Sequence, residues 1–264
     1  MTRPALQPTA ESPMIPTPPG RQIPQYSAAQ ILAIWAAAAI PMGLLAWVAA
    51  PGLAELLDGP APLPEALFIT MTVGLVWQFL MVIALVRRER GSLAWSVLRE
   101  ALWLQSPRSP RSGRVGGRMW LVLIPLVVLY AAEGVIPSLP SPAGRDFGVF
   151  LESGAGEATF SGAWGWFGLL LVSMIFNTVL GEELLFRGFL LPRMTGTFGE
   201  ADWLVNGVMF AAYHLHRPWG MPAILLDAAI LSYPTKRYRS AWIGIAVHST
   251  QTVVVAVMVL ALVL

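Results

Sequence analysis

The chain has 264 residues, of which 56% are hydrophobic and only 12% charged, with a formal net charge of +2. Soluble domains carry about 25% charged residues, and several apolar runs here reach spanning length, so the composition sets aside a soluble enzyme in favour of a polytopic helical membrane protein. There is no cysteine, which excludes disulfides, thiolate metal sites and a cysteine nucleophile.

Residues 1–26 contain seven prolines and no apolar core and read as a disordered, proline-rich cytoplasmic tail. Residues 27–264 read as a single membrane domain. A first span is expected over Ala28–Ala50, bent at Pro41, and a second over Ala66–Val86, joined by the acidic connector "PGLAELLDGPAPLPE". The stretch "RRERGSLAWSVLREALWLQSPRSPRSGRVGGR" holds eight basic residues, so the positive-inside rule places it, and the N-terminus, in the cytoplasm. Its middle, "SLAWSVLREALWLQ", has helical apolar spacing and is expected to lie along the inner surface. A third span covers Met119–Ile136 and leads to a Pro/Gly-rich external loop. The fourth runs over Trp164–Leu191, the fifth over Asp202–His216, and a shorter sixth is "MPAILLDAAILSY". The basic loop "PTKRYRS" precedes a seventh span from Ala241 to the C-terminus. The expected architecture is an all-α bundle of about seven transmembrane spans plus one interfacial amphipathic helix. Lys236 is the only lysine among 17 basic residues; such arginine use suggests a high-GC bacterium, and hence its inner membrane.

Within these apolar runs the chain places Glu182, Glu183, Arg187, His214 and His248. Ionisable residues in spans cost about 2.5–3.5 kcal/mol each and face a bundle interior or a wet cavity. Glu182 lies fifteen positions before the turn near residue 197 and His214 seventeen after it, while His248 lies eight positions into the last span. At about 1.5 Å per residue these three share one layer of the bilayer. Glu183 and Arg187, four apart, are placed to form an ion pair; Glu182 projects about 100° away and is free to face a cavity. Phe210 shares a helix face with His214, and Gln251 and Thr252 lie one turn beyond His248. His216, beside Arg217 and Pro218, reads as structural.

One carboxylate and two imidazoles suit hydrolysis of a peptide bond. A desolvated glutamate takes a proton from water, an imidazole shares it, and further donors hold the oxyanion. The same three residues also match a catalytic zinc site with an open position, and spacing alone does not choose between them. Neither HExxH nor GxSxG occurs.

Three motifs in chain order then resemble those of the CAAX-protease and bacteriocin-processing family of intramembrane endopeptidases. "EELLFR" (Glu182–Arg187) fits EExxxR, "FAAYH" (Phe210–His214) fits FxxxH, and "HSTQT" (His248–Thr252) resembles HxxxN, after Trp242 and Ile245. The resemblance covers residues 164–256. It implies an all-helical membrane endopeptidase that cuts a peptide or membrane-protein substrate near the cytoplasmic face. Glu182 and His214 would activate the water and His248 would hold the oxyanion, with Glu183, Arg187, Phe210, Gln251 and Thr252 in support. The family has been read both as zinc-dependent, with Glu182, His214 and His248 as ligands, and as glutamate-dependent. The second is favoured here, because one carboxylate and two neutral imidazoles offset little of a divalent charge. Thr252 stands where the family has asparagine, and loss of an oxyanion donor typically costs about 10²–10³ in rate.

The main alternative is a non-proteolytic membrane scaffold or bacteriocin-immunity-type factor, which would tolerate Glu182→Gln. A proton-coupled transporter would show internal repeats, and none is evident. A haem bound by His214 and His248 would leave the glutamates unexplained. The expected partners are the peptide substrate and the lipid bilayer, not nucleic acid, since the basic loops are short and adjacent to spans.

Overall fold

The computed structural model describes residues 23–134, 136 and 139–264. All regular elements among these are helical, apart from an isolated bridge between Arg108 and Val115. The protein is an all-α polytopic bundle.

Helix α1 (Ala28–Ala54) begins at Ser27, whose hydroxyl and backbone pair reciprocally with Gln30. Pro41 lies inside it. A proline has no N–H, so the carbonyl four residues earlier loses its helical partner. That carbonyl, on Ala37, instead accepts the indole N–H of Trp77 at 2.9 Å. Trp77 belongs to α2 (Pro62–Arg90), which is longer at both ends than the expected Ala66–Val86. Pro62 opens its first turn, and Arg87, Arg88 and Arg90 complement the dipole of its last. The surface helix of the basic loop, α3 (Trp95–Ala101), is shorter than its sequence pattern. Trp95 stays exposed, whereas Ala101 and Leu102 are buried.

A 3₁₀ turn at Gly117–Val122 leads into α4 (Leu123–Glu133), and two short helices, Phe147–Leu151 and Gly154–Phe160, fill the following connection. Next come the long α5 (Trp164–Arg193) and α6 (Asp202–Tyr213). The expected sixth span is broken into Met221–Ile224, a π-turn at Ala228–Ser232, and α7 (Tyr233–Tyr238). The chain ends in α8 (Ala241–Val263). Of these, α1, α2, α5 and α8 are long and apolar enough to cross a membrane, and Gly117–Ala132 is a shorter apolar helix.

Helix α6 ends one residue before His214 rather than reaching His216. Arg217, directly before Pro218, has φ −143° and ψ 64°, outside the helical region, which steric clash with a following proline ring disfavours. The chain therefore leaves the helix at His214, and the histidine sits at a helix end instead of within a span.

Of the expected disordered tail, residues 1–22 lie outside the described residues, while residues 23–26 are held on the bundle. The Tyr26 N–H donates to Arg193 O at 3.0 Å, Gln25 Nε2 to Pro192 O at 3.0 Å and the Tyr26 hydroxyl to Glu89 at 3.0 Å. The last carbonyls of α5 lack helical partners, and this segment supplies them.

Candidate active site

The acidic pair interrupts α5 at a change of winding. Two π-helical stretches, Phe176–Gly181 and Leu184–Leu190, flank Glu182 and Glu183; such wide turns are rare and recur at functional sites. Both glutamates are buried, with Glu182 only 2% exposed.

Glu183 organises its surroundings. Its Oε1 lies 3.2 Å from Arg187 Nη1 and 3.0 Å from His248 Nδ1. The Arg187 guanidinium is also stacked 3.9 Å over the Phe210 ring, which lowers the cost of burying a cation. A carboxylate accepts only, so His248 Nδ1 donates, and its Nε2 remains for other work. Asp227, buried beside α7, lies within electrostatic reach of His248.

His214 is held differently. Its Nδ1 stands 2.8 Å from the Phe210 carbonyl oxygen. A carbonyl also only accepts, so Nδ1 carries the hydrogen and Nε2 presents a lone pair. The Phe210 ring packs against both imidazoles, edge-on to His214 at 4.9 Å and to His248 at 6.2 Å between centroids.

Glu182 lies near the Tyr213 hydroxyl and within electrostatic reach of His248, Glu183 and Arg187. Gln78 of α2 donates to the Tyr213 hydroxyl at 2.6 Å. Thr252 is engaged elsewhere: its hydroxyl lies 3.0 Å from that of Thr178 on α5. Gln251 is exposed and accepts from Tyr130 at 3.1 Å. His216 packs against His214 with ring centroids 5.2 Å apart.

The structure thus gathers Glu183, Arg187, Phe210 and His248 by direct contact, with Glu182 and His214 at the edges of that cluster. Among the described residues no three of His, Asp and Glu stand close enough together to hold a metal ion. Glu182, His214 and His248 do not fit a zinc ligand set in this arrangement, although both Nδ1 atoms are anchored as they are in many metal sites.

The family model described as Rce1-like, type II CAAX prenyl endopeptidase Rce1-like, matches residues 163–254. These residues are thus similar to the Rce1-like family. No curated protein and no solved structure matches the chain. The matched segment comprises about a third of the chain and contains Glu182, Glu183, Arg187, Phe210, His214, His248, Gln251 and Thr252. The matched family is one of membrane proteases. Gln78 and Tyr130 reach the matched segment from α2 and α4, which lie outside it.

Sequence reasoning overlooked Gln78, Tyr213 and Asp227. Gln78 and Asp227 carried a usable signal, since each is a lone polar residue in an apolar run, the criterion that singled out Glu182. Tyr213 carried none beyond its place next to His214.

Proposed function

We propose that the protein is an intramembrane endopeptidase in which Glu182 is the general base for hydrolysis of a peptide bond. The observation that carries this reading is the different anchoring of the two imidazoles. His214, bonded to a neutral carbonyl, keeps a bare Nε2 that takes a proton. His248, bonded to the Glu183 carboxylate, is the ring whose protonated form has a counter-charge, so that its Nε2–H donates to an oxyanion.

In the reaction Glu182, assisted by His214, removes a proton from water as the oxygen attacks the scissile carbonyl carbon. The tetrahedral oxyanion accepts a hydrogen bond from His248 Nε2, and Glu183 holds that ring while Arg187 holds Glu183. Collapse breaks the C–N bond, and the proton taken from water passes to the departing amine. No step requires a metal. The substrate is a peptide or membrane-protein segment, cut near the cytoplasmic face. The Arg-rich segments at 87–118 and 234–240 support a cytoplasmic N-terminus and, for a bacterial cell, the inner membrane.

The test is terminal-peptide mass spectrometry of membrane and secreted fractions from cells expressing wild type or Glu182→Gln at equal levels. Precursors that accumulate only with Glu182→Gln are the expected result and name the substrate. Identical peptide patterns would overturn proteolysis in favour of a scaffold or immunity-type factor, a reading supported by the engagement of Thr252 with Thr178.

A further inference from the structure

Helix α2 lies outside the matched segment, yet it reaches the carboxylate proposed as the base. Gln78 and Tyr213 are both fully buried, at 0% exposure. The Gln78 amide nitrogen donates to the Tyr213 oxygen at 2.6 Å, and the Tyr213 hydroxyl lies near Glu182. The direction of this bond leaves the phenol hydrogen unused: the phenol oxygen accepts from Gln78, so its hydrogen is free to point at the carboxylate.

The backbone brings these groups together deliberately. A Cβ at Gly181 would lie 2.5 Å from the Phe176 carbonyl of its own helix and 3.2 Å from the Leu75 carbonyl of α2, so glycine lets α2 come this close directly before Glu182. Gln78 follows Leu75 by one turn and is carried to the same level. The Tyr213 ring is locked between Phe186, at 5.3 Å, and His214, at 5.0 Å between centroids. The Gln78 Oε1 is buried with no hydrogen-bond partner among the described residues. An unmet buried acceptor costs about 1–3 kcal/mol, and a leucine in a lipid-embedded helix would avoid that cost. Packing alone does not account for the amide.

We infer that Gln78, from outside the matched segment, and Tyr213 are positioning residues that orient the Glu182 carboxylate. The inference rests on Glu182 acting as the base. A phenol donor fixes one carboxylate oxygen and turns the other toward the water, and Gln78 keeps the phenol from rotating away. Partners of this outer kind are typically worth about 10–100-fold in activity.

The test combines kinetics with a spectroscopic readout on the purified full chain in detergent. Cleavage is followed on a quenched peptide spanning the processing site found in cells. Tyr213→Phe and Gln78→Leu are each expected to lower kcat about 10–100-fold at unchanged KM. The double variant should fall little further, because the two residues act in one chain of bonds. Equal losses in KM, or multiplicative losses in the double variant, would overturn the inference.

Independently, with ring-labelled tyrosine, the infrared C–O band of Tyr213 is assigned by its loss in Tyr213→Phe. It should shift in both Gln78→Leu and Glu182→Gln. A band unmoved by Glu182→Gln overturns the inference whatever the activity. A band moved by both, in a wild type that cleaves nothing, supports the orienting bridge and overturns the protease reading alone.

Discussion

Gly244 of α8 faces Glu183 so closely that a methyl group there would overlap Oε2 and stand 3.3 Å from Arg187 Cγ and from Thr235 Oγ1. None of the three can retreat cheaply, because Glu183 is committed to both Arg187 and His248. Overpacking of this kind costs about 1–3 kcal/mol, and here the crowded oxygen, Oε2, belongs to the carboxylate whose Oε1 orients His248. Gly244→Ala is therefore expected to lower the melting temperature in detergent and to abolish cleavage, where a mere packing defect would leave cleavage near normal below the melting point. Gly168→Ala on α5 is the control, since an added Cβ there meets nothing within 4 Å; it should hold or raise stability by up to about 1 kcal/mol. Removing the counter-charge is more damaging than crowding it. Glu183→Gln keeps the shape but leaves the fully buried Arg187 without an anion. Breaking a buried pair from one side costs about 3–5 kcal/mol, so this variant should show a larger loss of melting temperature than Gly244→Ala.

The C-terminal end of α5 is tied down as an element, and Arg193 is the knot. Its guanidinium is buried, bonded to both Glu89 oxygens at 2.9 and 3.0 Å, and it donates to the carbonyls of Ala101 at 3.1 Å and Phe189 at 2.7 Å. Three elements meet there, the ends of α2, α3 and α5, together with Tyr26 from the segment before α1. A residue that closes a helix end and a loop at once fixes the height of α5 in the bundle, and with it the depth of Glu182 three turns away. Glu89→Ala leaves Arg193 unpaired and is expected to cost about 3–5 kcal/mol, with much of that recovered in the double variant Glu89→Ala, Arg193→Met. Chemical or thermal unfolding in detergent reads the difference. Equal instability of the single and double variants would show that the carbonyl contacts of Arg193, rather than its charge pair, hold the end of α5.

At the scale of the whole molecule, the helical class and the order of the long helices were legible, because runs such as Trp164–Leu191 and the C-terminal segment from Ala241 need only hydrophobicity and length. Helix ends were less so. The last turns of α2 are arginine-rich and looked like loop, although arginine suits a helix C-terminus; α6 stops early because Pro218 reshapes Arg217. Within the site, the closeness of Glu183 and Arg187 follows from four-residue spacing, whereas the bond between Glu183 and His248 joins helices 65 residues apart in sequence and has no local signature. The same long-range geometry bears on the metal question. Charge arithmetic alone favoured a metal-free site, and in the assembled helices the Phe210 ring packs against both His214 and His248. If Glu182 acts without a metal, prolonged dialysis against a chelator should leave cleavage by the purified chain unchanged, and added zinc should not raise it. A chelator-induced loss that zinc alone restores, with bound zinc near one equivalent in wild type and absent from His248→Ala, would require the helices to close further. His248 Nε2 would then be a ligand instead of an oxyanion donor.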